Sequence, residues 1–169
     1  MNVEQLRALV IQKSGRVPQT FSKEAATAFV EPTFHRDVLE YLCYCLPAET
    51  YLASGVRVLP MEAIEREMGE ASAPGSFIRP FGYVIIAVSV GGNGVCLQSG
   101  TGRVFWVDHD SFSNGMIMFK NRITGKWEYL HEYSPQNVER AMVLLSDTTE
   151  NFLTTLLADQ LTVSLGALD

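Results

Sequence analysis

Asp108-His109-Asp110 sets two carboxylates and an imidazole side by side. Such a trio is ligand material for a divalent cation, with His131 or Glu132 as further donors. The run just before it, Arg103 to Val107, reads as a strand, and adjacent strand residues point to opposite faces. The three groups are therefore not expected to converge on a metal. Asp110 is expected to cap the next turn, since Asp accepts backbone N–H bonds well. Cys43 and Cys45 stand two apart in a predicted helix and face different directions, so they form neither a redox pair nor half a zinc site. Cys96, between Val95 and Leu97, reads as a packed thiol without a His at a spacing that would stabilise a thiolate. Gly91-Gly92-Asn93-Gly94 is followed by a strand rather than a helix, and no Gly-Lys-Ser/Thr is present, so it reads as a turn and not a phosphate loop. Ser99-Gly100-Thr101-Gly102 lacks the strand-to-helix elbow of a hydrolase. No catalytic residue, metal or cofactor is expected.

Composition narrows the classes further. At 169 residues, 47% hydrophobic and 19% charged, the chain has the size and apolar content of one domain with a real core. A formal net charge of −6 disfavours a protein built to hold a nucleic-acid backbone and favours basic partners. Three cysteines without a spacing pattern fit a reducing compartment. The start, Met1 to Arg7, has no basic stretch followed by an apolar one, and no apolar run approaches the roughly 20 residues that span a bilayer. A cytoplasmic protein is expected, with no direct contact to nucleic acid or membrane.

The elements that must position these residues follow from periodicity. Leu6, Leu9 and Val10 predict a helix over Asn2 to Lys13. Pro18 and Pro32 bound a segment with Phe29 and Val30, in which Ser22 caps a short helix starting at Lys23. Val38, Leu39, Leu42, Cys43 and Leu46 predict a helix that Pro47 breaks, with a second short helix through Tyr51 and Leu52. Val56 to Leu59 reads as an edge strand, and Pro60, at a first helical position, opens a helix over Met61 to Met68. Glu70 to Ser76 is a loop. Tyr83 to Val90, Val95 to Gln98 and Arg103 to Val107 then form a meander joined by glycine turns. Met116 to Ile123 and Trp127 to Leu130 add a second hairpin to that sheet. Ser134-Pro135 starts a helix with Val138, Met142 and Leu145 on one face, and a last helix carries Phe152, Leu153, Leu156, Leu157 and Leu161. A block of strands between helical blocks makes the fold α+β. Val84, Ile86, Val88, Val104, Trp106, Phe152 and Leu156 are the expected core.

The meander carries a resemblance. An apolar strand, the turn Gly92-Asn93-Gly94, the short strand Val95-Cys96-Leu97 and the aromatic strand Gly102 to Val107 ending in Asp108-His109-Asp110 resemble the SMI1/KNR4-like, or SUKH, superfamily. Leu46-Pro47 with Tyr51 and Gly55, ahead of the sheet, and Ser146 to Leu157 with Asn151-Phe152-Leu153, behind it, agree with that pattern. The resemblance covers roughly residues 36 to 158, within a single domain spanning 1 to 169; the first helical region is longer than the pattern, and Gly55 to Phe81 match it poorly.

The resemblance implies a central, bent, mainly antiparallel sheet flanked by N- and C-terminal helices. In bacteria it implies an immunity protein that binds and neutralises a cognate toxin domain, often a nuclease; in fungi, a scaffold. A nuclease has a basic cleft for phosphates, and an acidic protein can occupy it by charge mimicry. Asp108, Asp110, Glu62, Glu65 and Glu128 are the candidate steering carboxylates, and Tyr129 and Tyr133 the candidate aromatic anchors. The acidic run Glu62, Glu65, Glu67 and Glu70 reads first as the solvated face of a short helix and only second as part of an acidic contact surface. The alternatives are a scaffold without a toxin partner, a subunit of a larger complex, and a small metal-dependent hydrolase using Asp108, His109 and His131.

Overall fold

Asn2 opens the first helix, α1 (Val3–Ser14), by accepting a hydrogen bond from the Gln5 N–H, and Gly15 closes it in the left-handed conformation. The structure is a computed structural model that describes residues 1–28, 34–70 and 72–161. Ser22 caps α2 (Lys23–Thr27) as its sequence predicts. Phe29, Val30, Pro32 and the loop residue Ala71 lie outside the described residues. In α3 (Arg36–Tyr44), Val38, Tyr41, Leu42 and Cys43 turn inward, and His35 caps the start through the Asp37 N–H.

The stretch after Pro47 departs from expectation. Tyr51 and Leu52 are not helical: β1 (Tyr51–Ala53) pairs antiparallel with β2 (Val56–Val58) around Ser54-Gly55. Gly55 takes a φ of 82°, which suits a tight hairpin, and β1 rather than β2 is the edge. Pro60 sits at the N-cap of α4 (Met61–Glu67), one position earlier than expected. A short helix, α5 (Gly75–Ile78), begins inside the stretch expected to be loop.

The meander is present, with its first strand ending at Val88 rather than Val90, which lies exposed in the turn. β3 (Tyr83–Val88), β4 (Gly94–Gln98) and β5 (Val104–Val107) are antiparallel, and β3 and β5 are buried throughout. The Met116–Ile123 hairpin does not join this sheet. β6 (Phe112–Ser113), β7 (Met116–Lys120) and β8 (Trp127–Leu130) form a separate three-stranded sheet. Ser134 caps α6 (Pro135–Arg140), which stops early: Val143 to Ser146 becomes β9 (Val143–Ser146) instead of a further helical turn. β9 pairs with β5, Trp106 opposite Val143, and completes a six-stranded antiparallel sheet in the order β1-β2-β3-β4-β5-β9. Its register shifts between Ile85 and Ala87 and between Val104 and Phe105, and such bulges bend strands. The fold is α+β.

α7 (Thr149–Leu157) closes the core, burying Phe152, Leu153, Leu156 and Leu157. α1, α3 and α7 contact one another. All seven expected core residues are buried in a single hydrophobic cluster. The buried Thr149 hydroxyl donates to the Gly102 carbonyl at 2.7 Å and ties α7 to the β4–β5 turn. Gly102 itself has a φ of 75°, and a Cβ there would lie 2.7 Å from His35 Nδ1, so only glycine suits the position.

Asp159 fastens the far end of α7. Its carboxylate accepts from Lys13 Nζ and from the Ser54 N–H, joining α7, α1 and the β1–β2 turn. The Lys13 hydrogen bond, then that of Ser54, holds its carboxyl below the ordinary 3.8. A depressed folded value means that this contribution is present above 3.8 and is lost as pH falls through the folded value. Urea midpoints at neutral pH and below pH 3.8 are expected to differ less for Asp159→Asn than for the parent chain. An equal acid-induced drop in both would remove Asp159 from that role.

Candidate functional site

Asp108-His109-Asp110 is not a strand end but the start of a 3-10 turn spanning His109–Ser111, with Asp108 as its cap accepting from the Asp110 N–H. The turn overrides the alternation expected of a strand. One ligand atom from each of the three residues lies within 4.8 Å of the others. The expected divergence is thus corrected, and so is the cap: Asp108 fills that role rather than Asp110. Asn93 organises the turn from the β3–β4 loop: its Oδ1 accepts from the His109 backbone N–H and meets His109 Nδ1, both at 2.9 Å. His109 Nε2 stands 3.2 Å from Asp110. His131 and Glu132 are exposed on the segment between β8 and α6.

A cleft of about 730 Å³ opens beside this turn, within the volume range of ligand-binding clefts. Trp106 of β5, Met142 and Val143 line its main-sheet side, and Phe119 of β7 and Trp127 of β8 line the side from the small sheet. Trp106 is 2% exposed, yet its indole N–H has no hydrogen-bond partner among the described residues. A buried donor left unpaired costs about 1–3 kcal/mol. The charged lining is Lys120, Arg122 and Arg140 against the single carboxylate of Asp108. Arg140 is held in place: its guanidinium donates to Glu128 at 2.6 Å and lies over the Phe119 ring at 5.8 Å. The hairpin tip adds Ile123, 96% exposed, and Trp127 is 55% exposed.

No family model, no curated protein and no solved structure matches the chain. The site is therefore read from its own chemistry.

The remaining candidates fall in three places. Glu62 and Glu65 are exposed on α4, three apart and so on one helix face, and Asp108 and Asp110 are exposed on the 3-10 turn. α4 contacts β3, whereas the turn contacts β7, so these carboxylates belong to separate elements. Glu128 is half-buried and already engaged by Arg140 and Asn121. Tyr129 is exposed on β8. Tyr133 is partly buried: it stacks on Phe77 and Phe81, leans on Phe112, and its hydroxyl donates to the Ser113 carbonyl at 2.8 Å. It fastens the small sheet to the 3-10 turn Arg79–Phe81, and little of its ring is left for a partner. Sequence reasoning passed over the cleft because Lys120, Arg122 and Arg140 are scattered cations there. The available signal was Lys120 to Trp127, where exposed Ile123 and Trp127 alternate with basic residues.

The three thiols are buried. Burial pushes Cys43 and Cys96 up and Cys45 up to about 12, away from the thiolate that nucleophilic chemistry requires. Reaction with an aromatic disulfide reagent at mildly alkaline pH is expected to be slow for all three and to accelerate only in denaturant. A thiol that reacts at once in the folded protein would contradict this packing.

Proposed function

We propose that the chain is a non-enzymatic protein-binding domain, an immunity protein that binds and neutralises a cognate bacterial toxin domain presenting a basic surface. The observation that carries the reading is the display of exposed carboxylates, Glu62 and Glu65 on α4 and Asp108 and Asp110 on the capped turn, by a chain of net charge −6. A helix and a capped turn fix the backbone that carries these groups, so only their side chains are ordered when they meet a basic surface. Their field raises the rate of encounter with a basic partner. The SUKH resemblance, carried by the sequence of the meander that runs into Asp108, is the source of the toxin-neutralising role in this reading.

Growth tests the proposal. The C-terminal domain of the reading frame just upstream is expressed alone and together with this chain. Arrest by the neighbour alone, relieved by this chain with co-purification of a complex, is the expected result. Arrest without relief rejects the pairing, and a harmless neighbour points to a scaffold.

A further inference from the structure

We propose that the cleft between β9 and the β7–β8 hairpin is a docking groove for an acidic, extended segment of the protein partner, carrying an apolar side chain among its carboxylates. The inference rests on the reading of the chain as a protein-binding domain and adds a second contact of opposite sign to the acidic face. Three independent observations converge on this occupant. The groove is lined by Lys120, Arg122 and Arg140 with Asp108, and since Glu128 pairs Arg140, the surplus of Lys120 and Arg122 over Asp108 leaves it locally basic in a chain of net charge −6. Trp106 lines the groove, and its buried indole N–H has no acceptor among the described residues, a polar group that an occupant opening the groove would be able to pair. Val143, the first residue of β9, lines the groove, and β9 is the last strand of the six-stranded sheet, its outer edge paired by no strand among the described residues. An extended segment can lie along such an edge while alternate side chains enter the groove.

The apolar lining separates this occupant from a nucleic acid. Met142, Val143 and Phe119 offer surface for an aliphatic side chain, and the acidic remainder of the protein repels a long polyanion. Arg140 is the fixed element, because Glu128 and the Phe119 ring already orient it. Lys120 and Arg122 are exposed, with no ion pair among the described residues, and are available to incoming carboxylates. Trp127 and Ile123, exposed on the hairpin, supply apolar contact at the rim.

The chain has two tryptophans, so an isotope-labelled sample shows two indole N–H resonances, and loss of one in Trp127→Phe assigns the other to Trp106. The probes are a short peptide alternating Glu and Leu, its Lys and Leu counterpart, and oligothymidylate. The expected result is a saturable downfield shift of the Trp106 resonance with the Glu-Leu peptide alone. Lys120→Glu with Arg122→Glu is expected to weaken that binding about tenfold or more, the scale of lost charge complementarity. No shift of the Trp106 resonance, or equal binding by the double variant, overturns the groove; tighter binding of oligothymidylate replaces the protein segment with nucleic acid. The toxin need not be known for this test. Growth relief that fails while the peptide still binds rejects the pairing with the upstream toxin domain and leaves the groove standing, and the reverse pattern rejects the groove alone.

Discussion

Trp106→Ala is expected to destabilise the protein by about 3–5 kcal/mol, the usual cost of emptying a large aromatic from a core. The indole projects from β5, the strand next to the edge strand β9, with Val95 opposite on β4 and Val143 opposite on β9. Its loss opens a void on that face of the sheet, which the close-packed surroundings fill only in part. Urea unfolding followed by circular dichroism measures the loss, and a cost below about 1 kcal/mol, the scale of a surface change, would place Trp106 outside the core. Trp106→Phe separates packing from polarity. It keeps most of the ring but removes the unpaired N–H, so the cavity it leaves is offset by relief of a buried donor. It is expected to cost far less than the alanine substitution.

Reversing Glu62, Glu65, Asp108 and Asp110 to Lys is expected to slow association with a basic toxin domain by about 10- to 1,000-fold at low salt, the range that electrostatic steering spans. All four side chains are exposed, and Glu62 and Glu65 take no part in an ion pair among the described residues, so the changes leave the core intact. The slope of the association rate against ionic strength is expected to flatten at the same time, because the long-range attraction that salt screens has been removed. Stopped-flow kinetics measures both quantities. Unchanged rates and an unchanged slope would remove these carboxylates from the interface and leave contact to the aromatic and basic groups of the hairpin.

The central strands are legible because each is an apolar, β-branched run long enough to show itself and is cut by glycines that only turns require. β1 is not: three residues carry no period, and Pro47 upstream invites a helix to restart. β9 is hidden for a different reason. Val138, Met142 and Leu145 fall at helical spacing by coincidence, and pairing with β5, some forty residues earlier, decides the backbone. Among the described residues β7 pairs only with β6 and β8, its neighbours in sequence, and nothing in the residues of β7 and β8 marks which sheet a local hairpin joins. At the site, alternation along a strand gave the wrong geometry for Asp108, His109 and Asp110, because Asn93 and the Asp108 cap wind them into a turn. The acidic residues could be picked out one by one, whereas the basic cleft exists only after the two sheets are set side by side.

The most direct test of neutralisation by binding is a titration of the toxin domain's activity with this chain. The expected result is a sharp end point at one chain per toxin domain, with protection that does not grow with time and a complex that elutes as one species. Protection by a small fraction of an equivalent, increasing with incubation, would mean that the chain inactivates its target catalytically, and no protection at any ratio would contradict neutralisation altogether.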